Sequence, residues 1–425
     1  MRSALTILLF AAVLCLFAPA QGVGVAPIRF EDIAERAGVH FVVENSPTPE
    51  KHQPETMPAG VALFDYDGDG LLDIYLVNGA EMPSLVKTSP KYYNRLFHHN
   101  GDGTFTDVSE ETGIAHLFGK GMSVTFADYD GDGYMDAFVT NDTTPNFLLH
   151  NLHGKKFEEV GVQAGVAYSA DGAALSSMGA DFRDVNNDGL PDIWYTAVER
   201  EGFPLNINSG KGEFVDMTVA DGLAKTSDMS GWGNGLADFD NDGWKDLFVA
   251  RANVMDNIAE ANPARRYGEP NTIFRNLGNG KFQDVSATAG PDFQREAAHR
   301  GVAFGDLFNE GRIDMVVSVL NGPAELFHNI SETGNHWILL KLSGTKSNRM
   351  AIGAQIKLTA ADGSVQWNEV TTAVGYASSS DPRVHFGLGK NKRIREIEIR
   401  WPSGIRQVLA DQDVDRILAI EEPAK

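Results

Sequence analysis

Five stretches of the chain bring carboxylates together at alternate positions. The first reads Asp65-Tyr66-Asp67-Gly68-Asp69-Gly70-Leu71-Leu72-Asp73, and copies start at Asp128, Asp184 and Asp238, with a degraded one at Asp306. As such a segment curls, side chains at positions one, three and five point the same way. The backbone carbonyl at position seven adds an oxygen, and position nine returns a carboxylate from the start of the next strand. The expected ligands are Asp65, Asp67, Asp69, Leu71 (carbonyl) and Asp73, then Asp128, Asp130, Asp132, Tyr134 (carbonyl) and Asp136. The third set is Asp184, Asn186, Asp188, Leu190 (carbonyl) and Asp192; the fourth is Asp238, Asp240, Asp242, Trp244 (carbonyl) and Asp246. Hard oxygen donors in a flexible ring suit Ca²⁺, at about 2.3–2.6 Å; a preference for zinc would call for His or Cys. Loops rich in Asp and Gly also form as ordinary turns capped by their own side chains. Acids packed this densely repel one another unless a cation joins them, so about four structural Ca²⁺ are expected. In the fifth copy Phe308 replaces a ligand and Glu310 replaces an Asp, which predicts a repeat without metal.

The flanks of these loops, such as Val124-Thr125-Phe126 and Ala137-Phe138-Val139, read as strands, not as the helices of an EF-hand. A second block recurs from Leu96 to Phe105, Leu148 to Phe157, Leu205 to Phe214 and Ile273 to Phe282: an apolar start, a Gly-containing turn and a closing Phe. That is a β-hairpin. One unit therefore holds four short strands in roughly 55–70 residues, the size of a propeller blade. The chain is read as all-β: a β-propeller of about five blades, or seven if two are degenerate, followed by a small β-sandwich. Phe30-Glu31-Asp32-Ile33 matches a hairpin's last strand, and Leu326-Phe327-His328-Asn329 matches a first strand without a partner. One blade shared between the two ends would seal the ring and leave no free edge.

An excess of 58 acidic over 36 basic residues, net -22, excludes a nucleic-acid binder and an anionic membrane surface as partner. Arg2, the apolar run Ala4 to Phe17 and Ala18-Pro19-Ala20 read as a secretory signal over 1–20. The single cysteine, Cys15, falls inside it, so the mature chain has no disulfide and metal is the expected staple. No later apolar run is long enough to span a bilayer. The expected location is secreted or extracellular, periplasmic or at the cell surface if the source is bacterial. The propeller is assigned to 25–332. From 333 to 421 the pattern changes to strands such as Trp337 to Leu342, Ile356 to Leu358 and Ile394 to Ile399, punctuated by glycines.

The Asp loops and N-x-G-x-G-x-F hairpins resemble the FG-GAP/VCBS repeats of integrin-α-like propellers. Met350 to Ala354, Gly375-Tyr376, Asp381 to Gly389 and Trp401-Pro402-Ser403-Gly404 resemble the ASPIC/UnbV domain. Together these motifs are similar to the cartilage acidic protein family. The resemblance implies Ca²⁺ at the loops, an extracellular binding or adhesion role, and a propeller that is usually larger, of seven blades. Vertebrate members carry a Cys-rich tail that is not found in this sequence. The function expected is an extracellular binding module for a protein or glycan. The alternative is a polysaccharide-active hydrolase or lyase, since propellers also host enzymes. No G-x-S-x-G or HExxH motif or Cys nucleophile supports it, and no catalytic residue or organic cofactor is assigned. His98, His99, His150 and His328 sit in equivalent hairpin strands, which the repeat explains. Two insertions, between Asp73 and Leu96 and between Asp246 and Ile273, enter the unit at the same point. Their Met82-Pro83, Tyr92-Tyr93 and Asn262-Pro263-Ala264-Arg265-Arg266-Tyr267 have the composition of a contact surface; the alternative is tolerated surface loops or a cover for the C-terminal domain.

Overall fold

The computed structural model describes residues 31–44, 46–50, 60–84 and 86–424. The expected signal segment, with Cys15, and Phe30 lie outside the described residues.

Each repeat folds into its own antiparallel sheet. The first contains β1 (Gly60–Phe64), β2 (Asp73–Val77), β3 (Arg95–His99) and β4 (Phe105–Asp107). The second contains β5 (Gly121–Ala127), β6 (Asp136–Asn141), β7 (Phe147–Asn151) and β8 (Phe157–Glu159). The third contains β9 (Ala180–Arg183), β10 (Asp192–Tyr195), β11 (Leu205–Asn208) and β12 (Phe214–Asp216). The fourth contains β13 (Gly231–Ala237), β14 (Asp246–Arg251), β15 (Thr272–Asn276) and β16 (Phe282–Asp284). The fifth has β17 (His299–Gly305), β18 (Asp314–Val319) and β19 (Glu325–Phe327). The Asp loop joins the first and second strand of each sheet. The second strands are apolar on both faces, as in Ala137-Phe138-Val139 and Leu247-Phe248-Val249, because neighbouring sheets cover both sides. Phe138 of the second sheet packs with Phe182 and Tyr195 of the third. Trp194 and Leu205 of the third pack with Leu236 and Leu247 of the fourth.

A repeated asparagine stitches one sheet to the next. The Asn151 amide donates to the carbonyls of Tyr66 (2.8 Å) and Met135 (3.0 Å), one in the preceding sheet's loop and one in its own. Asn208 does the same to Tyr129 and Pro191, Asn276 to Val185 and Lys245, and Asn329 to Phe239 and Ile313. Four stitches thus link five sheets. The equivalent position in the first sheet is His99, which stacks on Phe105 instead. Among the described residues the fifth sheet has three strands, and Glu31 and Asp32 are not in a strand. The shared blade expected from the two chain ends is therefore not seen. Its first residue, Phe30, is outside the described residues, and the seam position carries a side chain without the amide that makes the stitch elsewhere.

The C-terminal strands are β20 (His336–Ser343), β21 (Gln355–Ala360), β22 (Val365–Glu369), β23 (Val384–Gly389), β24 (Arg393–Arg400), β25 (Arg406–Asp413) and β26 (Arg416–Glu421). They form two sheets, β23-β20-β26 and β22-β21-β24-β25, with β20 and β26 parallel. Ile338, Leu340, Ile356, Leu358, Phe386, Ile397 and Trp401 fill the space between them. This sandwich rests on the Asp-loop face of the repeat sheets. Gln355 Nε2 donates to Asp128 (3.0 Å), and Lys245 Nζ to the Trp367 carbonyl (2.9 Å). The Gly389 amide donates to the Asn241 carbonyl (2.8 Å), and Arg383 to the Asp306 carbonyl (2.8 Å).

Between β22 and β23 the chain leaves the sandwich and runs along the first strands of the sheets. Thr125 Oγ1 donates to the Ala373 carbonyl (2.9 Å) and Ser123 Oγ to that of Gly375 (2.6 Å). The Gly375 amide donates to Ala180 (2.8 Å), and the returning Asp381 amide to Phe304 (3.0 Å). Gly375 has φ 76°, and a Cβ there would lie 2.6 Å from the Asn234 carbonyl oxygen, so only glycine seats this segment. Among the described residues no helix is long and apolar enough to cross a membrane.

Candidate metal centres

The five loops share one backbone frame. The position-six glycine amide donates to the position-one carboxylate at 2.8–2.9 Å: Gly70 to Asp65, Gly133 to Asp128, Gly189 to Asp184, Gly243 to Asp238 and Gly311 to Asp306. The position-seven residues Leu71, Tyr134, Leu190 and Trp244 donate their amides to the position-five carboxylates at 2.8–3.0 Å. Position nine braces the loop against the hairpin. Asp136, for example, accepts from the amides of Tyr129 (3.2 Å) and Asn151 (2.7 Å).

This frame gathers acids that outnumber their basic partners. Asp65, Asp67 and Asp69 converge with ligand atoms within 4.8 Å of one another, as do Asp128, Asp130 and Asp132, and Asp238, Asp240 and Asp246. Burial first, then the neighbouring carboxylates, pushes Asp65 and Asp128 up to about 6. Asp136 is pushed to about 7 and Asp238 to about 8, again chiefly by burial. Asp128 Oδ1 is buried with no hydrogen-bond partner. Glu369 of β22 adds a further buried carboxyl on the sandwich side, raised by burial and then by the charge of Asp128. Clustered, partly buried carboxylates with an orphaned lone pair fit a hard divalent cation.

The loops are not equivalent. In the third, Asn186 replaces an acid and its amide donates to Asp188 at 3.0 Å, and among the described residues no three acids of this loop form a converging group. In the fourth, Arg275 lies 2.6 Å from Asp240 and 3.1 Å from Asp242, outside the buried Asp238 and Asp246. In the fifth, Phe308 packs edge-on against His328, Arg312 pairs with Glu310, and Arg383 bonds Asn309.

Sequence reasoning set the hairpin histidines aside as a product of the repeat. The structure places two of them at the Asp loops: His98 groups with Asp67 and Asp73, and His150 with Asp130 and Asp136. The residue at this hairpin position is Ile207 in the third repeat, Arg275 in the fourth and His328 in the fifth, where it meets Asp314 beside the degraded loop, so the sequence pattern alone does not single out the first two. These nitrogens add a softer donor beside the first two loops. Trp194 and Trp401 are fully buried, in keeping with a packing role. The asparagines of Asn141-Asp142-Thr143 and Asn329-Ile330-Ser331, which fit the N-glycosylation sequon, have their amides engaged within the fold: Asn141 Nδ2 donates to the Pro145 carbonyl, and Asn329 Nδ2 serves as a stitch.

Residues 65–139, 128–195 and 184–249 match the FG-GAP-like repeat, and residues 344–425 match the ASPIC and UnbV family. Cartilage acidic protein 1 of Mus musculus is 26% identical over 377 residues, covering 85% of this chain and 54% of the relative. The Homo sapiens protein is 26% identical over 376 residues, covering 85% and 53%. The chain thus spans about half the length of these relatives. Among solved structures, an Agrocybe aegerita lectin recognising non-reducing terminal N-acetylglucosamine aligns at 16% identity and TM-score 0.41, over 84% of this chain and 80% of that one. That score is too low to bear on fold or function. With its repeats and its C-terminal sandwich both matched, the chain shows a family match to the cartilage acidic proteins, with FG-GAP-like repeats and a C-terminal ASPIC/UnbV domain.

Proposed function

We propose that this chain is an extracellular binding module: a Ca²⁺-stabilised β-propeller of about five blades, or seven if two are degenerate, over residues 25–332, capped by an ASPIC/UnbV-like domain over 333–421, after loss of a signal at 1–20. The observation that supports the metal most directly is the set of buried carboxylates, with an orphaned Asp128 oxygen, at loops that also receive the inter-sheet stitches. The ligands are Asp65, Asp67, Asp69, Asp73, Asp128, Asp130, Asp132 and Asp136 in the first two loops. Asp184, Asn186, Asp188, Asp192, Asp238, Asp240, Asp242 and Asp246 serve in the next two, with the carbonyls of Leu71, Tyr134, Leu190 and Trp244. The ion's contribution is structural: it neutralises the acids and fixes the loops on which neighbouring sheets and the sandwich rest. The partner is an extracellular protein or glycan, and the match to this family favours binding over catalysis.

A cation bound only by the folded state adds about 2.7 kcal/mol per site at a hundredfold excess over its Kd. The melting temperature should fall in EDTA and recover with Ca²⁺ more than with Mg²⁺. Metal analysis should return about four Ca²⁺ per chain, one fewer in Asp67→Ala and no fewer in Asp306→Ala. An unchanged melting curve in EDTA removes the metal from this reading.

A further inference from the structure

The far side of the repeat sheets carries a group of residues drawn from four separate parts of the chain. Trp232 opens β13, Arg300 lies in β17, Tyr267 ends the insertion between β14 and β15, and Tyr376 stands at the tip of the segment from the sandwich. The Arg300 guanidinium carbon sits 3.9 Å from the centroid of the Trp232 ring and 5.7 Å from that of Tyr267. Arg300 Nη2 donates to the Tyr267 hydroxyl (3.2 Å) and Nη1 to the His299 carbonyl (2.9 Å). Trp232 meets Tyr376 edge to face at 5.3 Å, and its indole N–H is held by the Ala252 carbonyl at 3.0 Å. All four residues keep part of their surface exposed.

What sets Arg300 apart is its charge balance. Its neighbours Arg251 and Arg265 are each paired, with Glu269 and Glu199. Among the described residues no carboxylate lies within ion-pair distance of Arg300, and the groups that act on it are tyrosines. A half-buried guanidinium without a counter-ion is unusual in a chain of net charge -22. Two of its five N–H groups are used. Six residues along β13 separate Trp232 from Asp238, so the Asp loops are roughly 20 Å away and do not neutralise it.

We propose that Trp232, Tyr267, Arg300 and Tyr376 form a site for an acidic sugar. The free guanidinium edge takes the carboxylate, and the aromatic rings take the C–H face of the pyranose. The insertion and the segment tip each supply one ring beside a single unpaired guanidinium, which suits one acid-bearing ring better than an extended acidic peptide. A peptide would want a groove or an open sheet edge. This inference deepens the binding-module reading and rests on it.

The test is titration of the full, Ca²⁺-loaded chain with sodium glucuronate, with glucose as the uncharged comparison and inorganic sulfate as the bare oxyanion, followed by ligand-observed NMR. Glucuronate should bind at least tenfold more tightly than glucose, and more tightly than sulfate. Arg300→Gln and Trp232→Ala should each weaken it at least tenfold, with Arg300→Lys intermediate because it keeps the charge and loses the fork. Melting curves confirm that the variants are folded, and Trp232→Ala carries the test if Arg300→Gln is not. Equal glucuronate binding by wild type and Arg300→Gln overturns the site, as does a glucuronate affinity no better than that for glucose. Equal affinity for sulfate overturns the recognition of a sugar. None of these results touches the melting and metal stoichiometry on which the module reading stands, so the two can fail separately.

Discussion

The asparagine of the hairpin motif shows how one residue can serve both turn and assembly. In Asn276-Leu277-Gly278 its side-chain oxygen accepts from the Gly278 amide at 3.0 Å, as a turn residue should. Its amide meanwhile spans two sheets. The turn role was legible in the sequence because it is local. The stitch was not, because its partners in the preceding sheet lie 79–91 residues away. Removing the amide leaves buried carbonyls without donors. Asn208→Ala should therefore cost about 2–3 kcal/mol, read from the urea midpoint. Asn100→Ala, which loses only exposed bonds to Thr104 and from Thr106, should cost under about 0.5 kcal/mol. Equal costs would show that the stitches do not carry stability.

Among the elements, the segment between β22 and β23 was the least visible in the sequence. Gly375-Tyr376 was recognised as a motif, but glycine there reads as a turn in isolation. Its reason is the close approach of the Asn234 backbone, a contact no local pattern records. Gly375→Ala should unseat the segment and expose the junction to protease, while a sandwich that melts as before would mark a local effect. The strands themselves were legible, because alternation and repeat both fix them, whereas closure depended on residues at the extreme end of the repeat region. The junction also has a pH response. His385 Nε2 donates to the Gly311 carbonyl (3.1 Å), and burial lowers its pKa to about 4. A pKa depressed below the unfolded value of about 6.5 gives stability that is present above that value. This stability is lost as pH falls through 4. The residue keeps an exposed edge, so the loss is at most about 3 kcal/mol. His385→Gln should flatten the stability profile between about pH 6.5 and 4, measured by denaturant titration at each pH; an unchanged profile would place the acid sensitivity elsewhere.

At the scale of the molecule, the two faces of the repeat array differ. One carries the acid loops and is covered by the sandwich, and the other receives the insertion and the segment tip. Replacing residues 256–268 with a short Gly/Ser linker should leave Ca²⁺ stoichiometry unchanged and abolish glucuronate binding, since Tyr267 goes with it. Loss of metal binding in that variant would show that the faces are not independent. The stitches also have a direction. Each one reaches from a later sheet to a loop earlier in the chain, and none points forward. A ribosome delivering the chain from its N-terminus therefore presents every new hairpin to a neighbour already made, so each sheet can be locked as it emerges. The sandwich, made last, contacts loops of sheets that are by then in place, and it arrives as the clasp on a finished row.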